Sequence, residues 1–189
     1  MRGAEAIVSN SRLLGLPVVI KDRIPKTYRN KTLDAKLRTE RTKREARLLN
    51  KAKIAGVPCP IVLEVSEFGI TMTKIRGKRA DLIKNKNSAK TAGKYLAQLH
   101  ASNLIHGDYT PANLIVSSGA SQNLFVIDFG LGFFSEDVED KAIDVLTMLK
   151  AIPESAQAQK AFLKGYSKYK KYSAVLKRVE EVKKRARYA

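Results

Sequence analysis

The stretch Ile105-His106-Gly107-Asp108-Tyr109-Thr110-Pro111-Ala112-Asn113-Leu114, followed closely by Ile127-Asp128-Phe129-Gly130, decides how this chain is read. The first has the pattern H-G-D-x-x-x-x-N and the second is D-F-G. Together they supply what phosphoryl transfer from a nucleotide requires. A carboxylate must orient or deprotonate the attacking hydroxyl, and Asp108 stands where that base is expected. An amide oxygen and a second carboxylate must hold magnesium against the phosphates, and Asn113 and Asp128 are placed for it. Either motif alone is weak, because a polar turn followed by an ordinary strand end can produce it. Their order and spacing, with the apolar run Leu124-Phe125-Val126-Ile127 delivering Asp128, make the joint signal specific.

Upstream, Val18-Val19-Ile20-Lys21 resembles V-A-I-K and ends an apolar strand. An ammonium there can reach the α- and β-phosphates if a helix carboxylate positions it. The helix expected from about Leu33 to Ala55 offers Glu40 and Glu45. Glu45 shares a face with Leu48, Leu49 and Ala52, whereas Glu40 sits with Arg44 and Arg47 on a solvated stripe. Glu45 is therefore the expected partner of Lys21. The strand-like Ile7-Val8, a turn at Ser9-Asn10-Ser11 and the run from Leu16 to Ile20 predict a hairpin. Gly3 just before it is a single remnant of the glycine-rich loop that covers phosphates, and a plausible nucleotide lid.

Two strands, Ile61 to Val65 and Gly69 to Ile75, follow Gly56-Val57-Pro58. In a two-lobed arrangement the second runs into a hinge, with Met72 behind an adenine pocket and the backbone of Thr73 to Ile75 facing the adenine edge. An ordinary hairpin fits these residues equally well. A helix capped by Ser88, with Ala92, Tyr95, Leu96 and Leu99 on one face, leads to His100 and His106. Neither histidine has cysteine company, so a zinc site is not expected, and His106 reads as a brace for the catalytic loop. Cys59, in Val57-Pro58-Cys59-Pro60, reads as a small packed hydrophobe.

Only a short loop separates Asp128 from the next helix, Glu139 to Leu149, and Gly107 replaces the arginine of H-R-D. This points to an enzyme not switched by loop phosphorylation. Pro153 is expected to open a last helical region in which Phe162, Leu163, Tyr166, Tyr169 and Tyr172 pack the core.

Composition narrows the partners. The 189 residues include 36 Lys and Arg against 18 Asp and Glu, a net charge of +18. Such an excess favours a polyanionic partner, nucleic acid first. Arg23, Lys26, Arg29 and Lys31, the basic helix after them, and the tail from Lys177 to Tyr188 could each track a phosphate backbone. They read equally as solvated charge, or in the tail as a frayed terminus. One cysteine, no apolar run of membrane-spanning length and no signal-like start point to a soluble, cytoplasmic protein.

Taken in order, these residues resemble the small atypical kinase/ATPase subunit of the KEOPS tRNA-modification complex, the bud-site-selection kinase family related to the Rio kinases. The resemblance rests on Arg2-Gly3-Ala4-Glu5-Ala6, on Lys26-Thr27-Tyr28-Arg29 with Leu33-Asp34, and on Arg41-Thr42-Lys43-Arg44-Glu45-Ala46. It continues through the two catalytic stretches to Glu139-Asp140-Lys141-Ala142 with Asp144. It implies an α+β fold, a reduced two-lobed protein-kinase-like domain over residues 1–189. The N-lobe is β-rich with one long helix to about residue 75. A compact helical C-lobe runs to about 182, and a basic tail occupies 183–189. It implies ATP and magnesium, with Gly3, Ala4, Glu5, Lys21, Glu45, Met72, Thr73 and Ile75 around the nucleotide. It further implies a threonylcarbamoyl-transferase partner, a small subunit docking on the N-lobe, and tRNA contacted by Lys183, Lys184, Arg185 and Arg187. Serine autophosphorylation and ATP hydrolysis supporting threonylcarbamoyladenosine formation complete the expectation. Thr73-Lys74 depart from the family pattern, where an acidic hinge residue is frequent. The strand before the glycine segment is expected to be minimal, and no further domain is expected on this chain. The alternatives are a free-standing small-molecule or protein kinase and a non-catalytic RNA-binding pseudokinase scaffold.

Overall fold

Residues 6–118, 123–152 and 155–185 are described by a computed structural model of the chain. Gly3, Ala4, Glu5, Pro153 and Arg187 lie outside the described residues. Two eight-residue strands open the fold, β1 (Ala6–Leu13) and β2 (Leu16–Arg23), paired antiparallel from Ala6 opposite Arg23 to Leu13 opposite Leu16. The turn is therefore Leu14-Gly15, not Ser9-Asn10-Ser11. Its φ values of 49° and 80° are both positive, as a two-residue hairpin turn of the primed kind demands. Ser9, Asn10 and Ser11 instead sit exposed along the strand, and the leucines around Gly15 disguise the real turn as an apolar run.

Asn30 starts helix α1 (Lys31–Ile54) by accepting hydrogen bonds from the Thr32 and Leu33 amides. Its inward stripe carries Asp34, Thr42, Glu45, Leu48, Leu49 and Ala52. Strands β3 (Val62–Val65) and β4 (Gly69–Thr73) complete an antiparallel sheet ordered β1-β2-β4-β3, against which α1 packs. Cys59 is buried here, its thiol donating to the Leu49 carbonyl at 3.4 Å, and burial pushes its pKa up to about 11.

Strand β5 (Gly77–Arg79) crosses into the second lobe, where it pairs with β7 (Leu114–Ser117), which in turn pairs with β8 (Leu124–Val126). Helix α2 (Lys86–Ala101) is capped by Asn85, whose side chain accepts from the Ser88 amide at 3.0 Å. The expected cap, Ser88, is thus inside the first turn. The cap lay hidden in a polar segment where several residues could serve. Strand β6 (Leu104–Ile105) pairs with β9 (Phe133–Phe134). Helices α3 (Val138–Ala151), α4 (Ala156–Tyr166) and α5 (Tyr172–Arg185) close the lobe.

Helices α2 and α4 cross with their backbones in contact. A Cβ on Gly93 would strike the Phe162 carbonyl, and one on Gly165 would strike the Lys90 carbonyl. Around that crossing Leu96, Leu99, Phe162, Tyr166 and Val175 are fully buried, and each such side chain contributes about 1.5–3 kcal/mol. The aromatics of the last region pack as the pattern predicts, with Tyr169 buried and Tyr172 half-buried. Among the described residues no helix is long and apolar enough to cross a membrane.

Candidate active site

Alternation along β2 puts Lys21 and Arg23 on one face, toward α1. Lys21 Nζ donates to Glu45 Oε1 at 2.6 Å and to Asp128 Oδ1 at 2.7 Å. Glu45 is buried, and its second oxygen accepts from Arg23 Nη2 at 2.5 Å. Sequence reading had grouped Arg23 with the cations free to meet phosphate, but its side chain is enclosed. Charge type alone could not reveal this; the two-residue spacing from Lys21 was the available signal. Burial lowers the pKa of Lys21, but Glu45 and Asp128 outweigh it and the net shift is upward. Burial likewise raises that of Asp128, and Lys21 overrides it to hold the carboxyl below its ordinary value. Arg23→Met is expected to destabilise the fold by about 3 kcal/mol, because it removes one partner of a buried pair. Thermal unfolding checks this, and an unchanged midpoint would count against it.

The neighbouring cations have similar internal duties. Asp34 is buried, with Arg38 Nε at 2.7 Å and Arg29 at 3.6 Å. Arg38 also lies 3.7 Å over the Phe68 ring.

The catalytic loop is anchored from α3. Asp144 is buried, and its Oδ2 accepts from the His106 amide at 2.7 Å while Oδ1 accepts from the Gly107 amide at 2.9 Å. His100 Nε2 lies 3.3 Å from Oδ2, and its Nδ1 is 2.7 Å from the Tyr166 hydroxyl. Gly107 has φ 81°, and a Cβ there would collide with the Leu131 carbonyl. The loop after D-F-G is therefore seated directly on this residue, which explains physically why no arginine stands there. His106 Nε2 lies 3.1 Å from the Ile127 carbonyl and Nδ1 accepts from the Asp108 amide at 3.3 Å. The ring thus ties the two motif stretches together as a neutral brace, as expected.

Asn113, at the end of a 3-10 turn (Pro111–Asn113), donates its amide to Asp108 Oδ2 at 2.8 Å and to the Asp108 carbonyl at 2.9 Å. The Asn113 amide nitrogen is thereby committed to Asp108, which leaves the amide oxygen as the ligating atom this side chain could offer. The Asn113 carbonyl accepts from the Ile127 amide at 3.0 Å, which sets Asn113 beside the strand end that carries Asp128. Asp128 itself is half exposed and has φ 61°. An amide oxygen beside a partly exposed carboxylate suits a hard cation that keeps several waters, as magnesium does.

Between the lobes lies a cleft of about 190 Å³. It brings together Lys21, Glu45, Met72, Thr73, Ile75 and Asp128, all expected around the nucleotide or its metal. Val8, Val19, Leu49, Pro60, Ile115 and Ile127 supply apolar walls that the motifs did not mark, although their strand alternation could have. The Thr73 amide bonds to the Ile61 carbonyl and that of Lys74 to the Pro17 carbonyl. Among the described residues the Ile75 amide, which borders the cleft, has no bonded acceptor.

The described part of the basic end is helical. Lys183, Lys184 and Arg185 form the last turn of α5, where Lys183 pairs with Glu180 at 2.9 Å and Arg185 with Glu139 at 3.3 Å.

Burial holds the pKa of both His100 and His106 below the ordinary 6.5, against the raising influence of Asp144. The unfolded chain then binds more protons below pH 6.5, so stability is present above that pH and is lost as pH falls through it. Denaturant melts should show a plateau above pH 7 and a decline below 6.5, of up to about 1.4 kcal/mol per pH unit for each histidine. A flat profile down to pH 5 would contradict the buried neutral assignment.

Comparison with known proteins agrees with this geometry. A RIO domain matches residues 20–149. The probable bifunctional tRNA threonylcarbamoyladenosine biosynthesis protein of Methanosarcina acetivorans is 39% identical over 193 residues, covering 99% of this chain and 35% of that protein. This chain thus spans about a third of the length of such bifunctional relatives. The probable serine/threonine-protein kinase BUD32 homolog of Archaeoglobus fulgidus is 40% identical over 175 residues, covering 90% of this chain and 88% of that one. The crystal structure of the Rio2 kinase-ADP/Mg2+-phosphoaspartate complex from Chaetomium thermophilum shares the fold, with TM-score 0.65 at 16% identity over 99% of this chain and 66% of that one. A sheet-and-helix N-lobe, a helical C-lobe, the matching RIO domain and 40% identity over nine-tenths of the chain to an archaeal BUD32 homolog lead to one conclusion: the chain belongs to the RIO-domain family, among the BUD32 homologs.

Proposed function

We propose that this chain is an ATP-dependent serine/threonine-type phosphotransferase and ATPase that supports threonylcarbamoyladenosine modification of tRNA within a KEOPS-type complex. The observation that carries the reading is Lys21 held between Glu45 and Asp128 at the polar end of an apolar cleft, with Asp108 and Asn113 fixed beside it. Met72, Thr73 and the Ile75 amide line the cleft and would receive the adenine, and Gly3, Ala4 and Glu5, outside the described residues, are assigned to the phosphate-covering segment. Lys21, positioned by Glu45, takes the α- and β-phosphates. Asn113 and Asp128 hold magnesium, which when bound offsets phosphate charge. Asp108 orients the attacking hydroxyl, of a serine or of water, and accepts its proton. The γ-phosphorus bond to the nucleotide breaks as the new one forms, and ADP leaves. The relative solved with ADP and Mg2+ supports this cofactor pair.

On this reading residues 1–75, 76–182 and 183–189 serve as nucleotide lobe, catalytic lobe and RNA-contacting tail, the last through Lys183, Lys184, Arg185 and Arg187. The names of the relatives support a role in tRNA threonylcarbamoyladenosine biosynthesis. A threonylcarbamoyl-transferase subunit and a small subunit on the N-lobe as partners, and a cytoplasmic location, are further parts of the proposal. The short path from Asp128 to the cap of α3 at Asp137 offers little platform for a peptide and disfavours a free-standing protein kinase. Phosphate release from ATP with magnesium tests the proposal, measured for the protein alone, then with the transferase partner, then with tRNA added. Strong stimulation by partner and tRNA is expected. High basal transfer to a peptide or small molecule, indifferent to tRNA, would overturn it.

A further inference from the structure

The outer face of α1 is a ridge of unpaired positive charge. Lys36, Lys43, Arg44, Arg47 and Lys51 are all exposed, turned away from the inward stripe that carries Glu45 and Leu49. They extend over 16 residues, ~22 Å of helix. None of these side chains has an ion pair or hydrogen bond among the described residues. Several other cations of the chain are engaged, Arg29 and Arg38 with Asp34, Arg178 and Arg185 with Glu139, and Lys183 with Glu180. Evolving a helix this basic without internal partners leaves its self-repulsion uncompensated until a polyanion arrives.

We propose that this ridge is the principal contact of the chain with the tRNA backbone, with the C-terminal tail a secondary one. The inference rests on the tRNA part of the proposed function and adds the surface. One observation favours an RNA backbone over an acidic protein, and another favours the ridge over the tail. The exposed positions from Lys36 to Lys51 are all polar, Glu40 and Asn50 being the only ones without positive charge. A protein interface buries an apolar centre, whereas phosphate contacts need only charge density and reach. The tail, by contrast, has two of its described cations already tied to carboxylates.

The test is fluorescence anisotropy of a labelled, unmodified tRNA transcript against the full chain over a series of salt concentrations. Three variants are compared with the parent. The first replaces Lys36, Lys43, Arg44, Arg47 and Lys51 by glutamine, which preserves helix propensity. The second replaces Lys183, Lys184 and Arg185. The third replaces the exposed Lys86, Lys90 and Lys94 of α2 and controls for net charge. The ridge variant is expected to flatten the slope of log K against log salt by about 3–4 and to weaken binding on the order of a hundredfold. The tail variant should lose less per charge removed, and the α2 variant least. Nucleotide affinity and the melting midpoint of the ridge variant should match the parent, showing an intact fold. If the parent binds tRNA and the ridge variant binds with the same slope, the placement is overturned while the tRNA reading stands. If the parent itself does not bind, both fall.

Discussion

Asp128→Asn is expected to reduce phosphate release from ATP by roughly 10³-fold, about 4 kcal/mol of barrier, while leaving the melting midpoint nearly unchanged. The substitution removes the charge that Lys21 meets and that the proposed mechanism assigns to magnesium, yet keeps an oxygen for the Gly130 amide at 3.2 Å. Asparagine is the right replacement because Asp128 sits at φ 61°, a region that asparagine tolerates and alanine does not. Alanine would therefore mix lost chemistry with backbone strain. The carboxylate is half exposed, so little of the fold depends on it. Turnover within tenfold of the parent would remove Asp128 from the metal role.

Asp144→Asn should do the reverse and weaken the fold first. Both carboxylate oxygens accept backbone amides, from His106 and from Gly107, deep in the C-lobe. An amide side chain can satisfy one and must aim its own N–H2 at the other. One buried donor is then left unpaired, and the His100 contact weakens as well. The expected loss is about 3 kcal/mol, a fall in melting midpoint of roughly 6–12 °C. Activity should fall too, since the displaced residues precede Asp108 directly. A variant as stable as the parent would mean that the loop is held chiefly by His106 and its neighbours.

The two lobes and the catalytic loop were legible because their chemistry demands particular residues at particular spacings. Asp108, Asn113 and Asp128 announce themselves, and the inward face of α1 selects Glu45 over Glu40. Features that depend on packing were not legible. Arg23 and Lys141 look like surface cations, yet both are buried, Lys141 donating to Asn103 Oδ1 and the Glu136 carbonyl. Asp144 was visible only as part of a familiar string of residues, because nothing in its neighbours says that two amides converge on it from about forty positions upstream. The Leu14-Gly15 turn was masked by the leucines on either side. In each case the deciding partner is distant in sequence, or the turn is made by an atypical residue.

Glu45 has both oxygens occupied, one by Lys21 and one by the enclosed Arg23. Swinging α1 away from the cleft would separate the carboxylate from a buried guanidinium, at about 3–5 kcal/mol. The displaced conformation is then populated well below one molecule in a hundred. Inhibitors that depend on a back pocket opened by an outward helix would find almost no target here. Selective compounds would have to work from the front of the cleft, against Met72 and the open Ile75 amide, where their affinity would not be reduced by the work of rearranging the lobe.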